Sequence, residues 1–338
     1  MGVTRHTVWG LIVGSLISAA CLWYAFKGVN LSAVASAMGR VGVLWIVASV
    51  VVGLSSLVIR AIRWQVLLGA IRSVETRPLV SATFIGMMAN NLLPARLGEV
   101  VRAWVLARRE AIPVPTVLAS ILVERLLDVL AALTILGLCL ASLPELGGSA
   151  AGLLKRAGLA VLVAVAAGVA GLWLVLRFRE RLLGACDRWS IQQGRAWLSR
   201  GLELFHRFLD GLGVFRSGAQ VAMVAGLSLV VWAAAIACFQ VLAEGFGLGL
   251  TPLQTALVFV IVLFGVAIPS APGFVGTFHG FCVAGLGMVA GIDPTQAAAY
   301  ATLLHGSQWV AINTLGIGCL LADRSLTWAG VISLTRQG

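Results

Sequence analysis

Six stretches of this chain are almost wholly apolar, each close to the roughly 20 residues that a helix needs to cross a bilayer core. They run over residues 8–26, 43–60, 116–142, 153–176, 218–243 and 295–321. No other feature constrains the fold as strongly. In lipid a backbone must satisfy its own hydrogen bonds, and an isolated run of that length does so as a helix. Runs this long are not the short alternating strands of an outer-membrane barrel. Composition agrees, with 60% hydrophobic and 11% charged residues and a mean hydropathy of +1.00 over 338 residues. The expected fold is an all-α polytopic membrane protein, one integral membrane domain over residues 1–338.

Two further apolar regions, 78–110 and 253–290, are interrupted at their centres. The first breaks at Asn90-Asn91-Leu92-Leu93-Pro94, the second at Pro269-Ser270-Ala271-Pro272-Gly273. Proline lacks an N–H and clashes with the preceding turn, so a helix ends there. Each half is too short to cross alone. Both regions are expected to be re-entrant hairpins, helix–break–helix, that leave the membrane on the side they entered. Ordinary spans kinked by proline and glycine are the alternative. Charge supports the hairpins. If 177–217, with eight arginines against four acids, is cytoplasmic, then both termini, 60–77 and 96–115 fall inside as well. The segments 27–42, 143–152 and 244–252, poor in positive charge, fall outside, as the positive-inside rule requires. The location this implies is the cytoplasmic membrane, with both termini cytoplasmic. The two hairpins then enter from opposite faces. Pro94 and Gly98 share the spacing of Pro272 and Gly276, and Pro115-Thr116 corresponds to Pro294-Thr295. This suggests an inverted repeat, in which secondary transporters hold substrate between broken helices near mid-membrane. Within 178–212, Leu198, Leu202, Phe205, Leu209 and Leu212 recur at helical steps. They read as an amphipathic helix along the cytoplasmic surface.

A net charge of +11 would point a soluble protein toward nucleic acid. Here loop arginines account for it, and no nucleic-acid partner is expected. All the basic residues except Lys27 and Lys155 are arginines, the side chain that grips phosphate with two parallel bonds. The six cysteines show no paired spacing and read as small buried hydrophobes. No metal-ligand set, nucleotide loop or catalytic triad order appears, and no cofactor is expected. Residues 8–26 lack a small-residue cleavage site followed by a soluble domain, so they are expected to remain as a span.

Polar residues concentrate at the breaks. Asn90 and Asn91 are placed to satisfy backbone groups freed at the first break and to bond a head group. The helix after Pro94 presents its N-terminal donors to an anion, with Glu99, Arg96 and Arg102 beside them. The arginines also fit plain cytoplasmic anchors. Glu124, Arg125 and Asp128 lie within a span, where each charge costs about 2.5–3.5 kcal/mol on insertion scales. Glu124 and Asp128 share a helix face, and Arg125 points about 100° away, toward a head group. The two acids fit either gating and proton coupling or a buried ion network with Arg60, Arg63 or Arg102. His279 and His305 are candidates for gating or proton coupling, and equally for packing. Pro94, Gly98, Pro269, Pro272, Gly273 and Gly276 shape the breaks.

The strings "RAIRWQVLLGA", "NNLLPARLGEVVRAWVLARRE", "VERLLDVLAAL" and "IPSAPGFVGTFHGFCVAGLGM" occur in that order. Together they resemble the lysylphosphatidylglycerol synthase transmembrane-domain family, also called flippase-like or UPF0104, over roughly residues 40–320. By that resemblance Asn91, Pro94, Arg96, Gly98, Glu99 and Arg102 match one motif and Glu124, Arg125 and Asp128 a second. Many members carry a glutamate shortly after the second proline–glycine break, where this chain has His279. The resemblance implies movement of anionic phospholipid or lipid-linked phosphate across the membrane. It implies no lysyl transfer, because the soluble aminoacyl-transferase domain of the two-part enzymes is not among these residues. The expected function is a membrane lipid transporter rather than an enzyme. The expected partners are membrane lipids and, alongside them, enzymes of lipid or glycan synthesis. Two alternatives stay open: an integral-membrane transferase or phosphatase acting on a lipid phosphate, with Glu99 and Glu124 as acid and base, or a non-catalytic scaffold.

Overall fold

A computed structural model of the chain describes residues 5–69, 72–93, 97–142, 149–178 and 218–323, with Arg181 and Gly184. Pro94, Arg96 and nearly all of the amphipathic segment at 178–212 lie outside the described residues. Eleven α-helices and no strand occur among those described. They are α1 (Arg5–Phe26), α2 (Leu31–Gly39), α3 (Val43–Gly69), α4 (Thr76–Leu92), α5 (Gly98–Glu110), α6 (Val114–Ser142), α7 (Ser149–Arg177), α8 (Gly218–Gly245), α9 (Pro252–Ala267), α10 (Thr277–Ala290) and α11 (Pro294–Ala322). The protein is an all-α polytopic membrane protein, and each of the six expected spans is a helix.

Among the described residues, α3, α8 and the stretch Pro272–Ala290 are long and apolar enough to cross a membrane, and α1 with α2 makes a fourth, broken candidate. The stretch Pro272–Ala290 reaches that length only by including a 3-10 turn at Pro272–Phe274, inside which Gly273 is non-helical. The continuous helix, α10, has 14 residues and is about 21 Å long. Apolar side chains such as Leu16, Trp23, Leu44, Leu229 and Leu321 are exposed. A chain surrounded by water rarely leaves so many uncovered.

One segment departs from the sequence reading. Residues 27–42 read as an outer loop, yet they contain α2, bent 79° from α1. Gly28, at φ +73°, terminates α1. Asn30 then opens α2, its Oδ1 accepting the Ser32 and Ala33 N–H groups at 2.9 and 3.4 Å. At nine residues, α2 is too short to announce itself by periodicity.

Both interrupted regions fold as two helices around a break. The element lengths repeat: 17, 13 and 29 residues for α4, α5 and α6, and 16, 14 and 29 for α9, α10 and α11. Contacts divide the chain into two compact units. The first comprises Met1–Ile59, Val80–Val105 and Val230–Gly338, the second Arg60–Leu79 and Leu106–Leu229. In the first unit the core gathers Leu242, Val258, Cys282, Leu286, Tyr300 and Leu304. The Tyr300 hydroxyl donates to the Phe239 carbonyl at 2.7 Å, so its burial leaves no orphaned polar atom. In the second unit α6 and α7 run antiparallel and touch at two glycines. A Cβ placed on Gly158 would stand 2.8 Å from the Gly137 carbonyl oxygen, the close approach that small residues permit between membrane helices.

Candidate functional site

The first break lies in the first unit. α4 and α5 fold back on each other so closely that a Cβ placed on Gly86 would stand 2.8 Å from Arg102 Cβ and 2.9 Å from the Gly98 carbonyl oxygen. Asn90, one turn beyond Gly86, accepts the Gly98 N–H on its Oδ1 at 2.8 Å. An N-terminal donor of α5 is thus satisfied by a side chain from α4. Arg102 is buried, 3% exposed, with Nη1 3.7 Å from Glu99 Oε2. Its side chain is buried in protein rather than exposed as a surface anchor would be.

The second break is more irregular. Gly273, Phe274 and Gly276 adopt positive φ, at 70°, 58° and 96°. At Gly276 nothing larger fits, because a Cβ would run into the Ser18 carbonyl of α1. The same Ser18 accepts the Ala271 N–H on its Oγ at 2.8 Å, so α1 serves the break with both backbone and side chain. His279 Nδ1 accepts the Gly276 N–H at 3.5 Å. His279 and His305, 26 positions apart with no shared motif, meet with their ring centroids 5.1 Å apart, edge to face. The His305 ring also stacks on Phe278 at 4.7 Å and lies near the Gly273 backbone.

The two breaks touch. A Cβ placed on Gly273 would stand 3.1 Å from the Asn91 carbonyl oxygen and 2.9 Å from Trp309 Nε1. The first break therefore lies against the second, with α11 beside both. Asn91, Gly273 and His305 belong to this junction. Gly98, Glu99 and Arg102 belong to the hairpin that leads into it. Pro269 and Pro272 bound the second break.

The second unit holds a different cluster. α3 supplies Arg60 and Arg63, and α6 supplies Glu124, Arg125 and Asp128. Asp128 accepts from Arg60 Nη1 on Oδ2 and from Arg63 Nη2 on Oδ1, both at 2.7 Å. Glu124 Oε1 lies 2.7 Å from Arg125 Nη2, 3.3 Å from Arg60 Nη1 and 3.8 Å from Arg63 Nη2. Arg63 is fully buried and also donates to Ser228 Oγ at 3.1 Å. Helical spacing set Arg125 off the face shared by the two acids. Its long side chain folds back to join them, and Nη1 lies 3.4 Å from Asp128 Oδ2. Its side chain stays 39% exposed, the most open edge of the cluster. Beside it, Trp64 Nε1 donates to Ser120 Oγ at 2.9 Å. Both carboxylates are occupied by arginines, two of which, Arg60 and Arg63, were among the partners the sequence offered.

The lysylphosphatidylglycerol synthase TM region, as a sequence family, matches residues 11–316. The chain belongs to that family. The stretch matched takes in both breaks, the junction and the arginine–carboxylate cluster. Among curated relatives, glycosyltransferase AglD of Haloferax volcanii is 27% identical over 355 aligned positions, covering 97% of this chain and 56% of AglD. The chain thus spans little more than half the length of that relative. A UPF0104 membrane protein of Methanothermobacter thermautotrophicus is 25% identical over 305 positions, covering 84% of this chain and 87% of its own. No solved structure matches.

Sequence reasoning missed several residues at the site. Ser18, Gly86 and Trp309 lie in apolar runs, and the signal available was polarity inside a span, which Ser18 and Trp309 carry.

Proposed function

We propose that the protein transports lipid across the cytoplasmic membrane, carrying the head group of a phospholipid or of a polyprenyl-phosphate-linked lipid between leaflets. One observation carries this reading: the Asn91 carbonyl lies against Gly273, break to break. Non-helical backbone at membrane depth is tolerated only where protein buries it or a wet cavity runs beside it. Two breaks in contact concentrate polar backbone at one place between half-helices, the arrangement transporters use for substrate. Arg102 and Arg96 are assigned to the phosphate, and Arg125 to a head group at the open edge of its cluster. Asn90 holds the hairpin closed. Glu124 and Asp128, through their arginines, and the His279–His305 pair are assigned to gating or proton coupling. With no nucleotide-binding motif in the sequence, movement is downhill or ion-coupled. The orientation that goes with this reading has both termini cytoplasmic.

The test is reconstitution into vesicles containing a fluorescent phospholipid, with chemical quenching of the outer leaflet. Protein-bearing vesicles are expected to lose nearly all fluorescence, and empty vesicles about half. Arg102→Ala should slow the second phase. Equal quenching with and without protein defeats the transport reading.

A second reading is favoured by the relative named a glycosyltransferase. In it the chain serves glycan assembly on a lipid phosphate, as an enzyme or as a scaffold. Product formation from a polyprenyl phosphate in detergent would support the enzyme form, because detergent abolishes sidedness but not chemistry.

A further inference from the structure

α11 presents His305, Trp309 and Asn313 at four-residue steps along one face. Asn313 is 6% exposed. Its Nδ2 donates back to the Trp309 carbonyl at 2.7 Å, and its Oδ1 is buried with no hydrogen-bond partner among the described residues. Across from it, on α4, Asn91 Nδ2 is likewise buried and without a partner among the described residues. The register of the two helices brings these groups to one level. A Cβ placed on Gly316 would stand 2.9 Å from the Phe84 carbonyl oxygen, with Met88 beside it. Asn91 lies one turn past Met88, and Asn313 one turn before Gly316. The helices run antiparallel, so both steps lead toward Gly273, which stands between the Asn91 carbonyl and Trp309 Nε1.

A buried polar atom left unpaired costs about 1–3 kcal/mol. Here the two orphans are of opposite kinds, a donor on Asn91 and an acceptor on Asn313. A hydroxyl answers both, since it accepts through its lone pairs and donates through its proton. A phosphate or carboxylate oxygen has no proton for Asn313 Oδ1, and an ammonium has no lone pair for Asn91 Nδ2. α9, α10 and α11 contain no Asp, Glu, Lys or Arg, which suits the uncharged, hydroxyl-bearing part of a head group rather than its phosphate. The arginine-bearing α5 packs on another face of α4, that of Gly86 and Asn90, about 200° from Met88 around the helix.

We infer that the junction of the two breaks is a hydroxyl-recognition site, in which Asn91 and Asn313 select lipids whose phosphate carries an alcohol-bearing head group, such as a glycerol, inositol or sugar. The inference rests on the transport reading, for which it names the chemistry of the cargo.

The test measures binding of short-chain lipids to the purified full chain in detergent, which does not depend on transport. Dihexanoyl phosphatidylglycerol is compared with dihexanoyl phosphatidylmethanol, equal in charge and lacking the hydroxyls, and with glycerol 3-phosphate. Two neutral hydrogen bonds contribute about 0.5–1.5 kcal/mol each, so the glycerol lipid should bind roughly tenfold more tightly than the methyl lipid. Asn313→Leu and Asn91→Leu should each remove about half of that preference, roughly threefold, and the double variant all of it. Equal affinities in the unaltered protein overturn the inference without any variant having to fold. A preference undiminished in either single variant, or surviving in the double variant, overturns it too. Glycerol 3-phosphate binding as tightly as the glycerol lipid overturns the lipid assignment in favour of a free polyol phosphate. The vesicle assay separates the two readings: selective binding without flipping defeats transport and leaves the site, and flipping with equal binding defeats the site alone.

Discussion

Asn90 caps a helix it does not belong to: its Oδ1 accepts the Gly98 N–H at 2.8 Å across the first break. A side chain in a good N-cap position contributes about 0.5–2 kcal/mol. Asn90→Ala is therefore expected to lower stability by about 1 kcal/mol, read as a lower denaturation midpoint in detergent. An unchanged midpoint would mean that the bond adds nothing to the hairpin.

Gly86 and Gly98 stand where neither helix has room for a methyl group. Overpacking typically costs about 1–3 kcal/mol, and the atoms in the way include the Gly98 and Gly86 carbonyl oxygens, backbone that yields poorly. Gly98→Ala and Gly86→Ala are each expected to cost at least that much. Gly226→Ala on α8 is the control. It meets nothing within 4 Å and, in a helix interior, should be neutral or stabilising by up to about 1 kcal/mol. Similar midpoints for all three variants would contradict the close approach.

Removing one partner of a buried ion pair costs about 3–5 kcal/mol, because the other charge is left in a poor medium. Asp128→Asn leaves Arg63 without its 2.7 Å carboxylate contact, and a loss of that size is expected in denaturant unfolding. Arg63→Met alone should be comparably damaging. The double variant Arg63→Met/Asp128→Leu should be less damaging than the sum of the single changes. Additivity within about 0.5 kcal/mol would show that the two residues are not coupled.

At the second break, Ser18→Ala removes the acceptor of the Ala271 N–H. The expected cost is about 1–3 kcal/mol, that of a buried donor left unmade. Gly276→Ala should cost more, since it combines a positive φ with a clash against the Ser18 carbonyl. The reverse order of severity would place the main constraint in the hydrogen bond rather than in the backbone.

Much of this fold can be read from residue type alone. The spans follow from runs of apolar residues, and the breaks from prolines set in such runs. That Glu124 and Asp128 pair with arginine follows from the expense of a lone charge in lipid. What stays hidden depends on contacts distant in the chain. The hydrogen bond from Ala271 to Ser18 spans 253 positions, and nothing near Ser18 announces it. The pairing of His279 with His305 depends on how α10 meets α11. That Arg125 joins the two acids is hidden because helical spacing fixes only the direction of its Cβ, whereas its guanidinium reaches several ångströms beyond. α2 is hidden because nine residues of small side chains carry little pattern.

The glycine-to-glycine contact inside the first hairpin limits how that hairpin can move. Helices slide past one another on a layer of side chains that repack from one arrangement to the next. Between Gly86 and Gly98 that layer is missing, and backbone rests on backbone, tied further by Asn90. On the transport reading, the two arms are expected to travel as a single stiff paddle, and any opening and shutting falls to the surface where Asn91 meets Gly273.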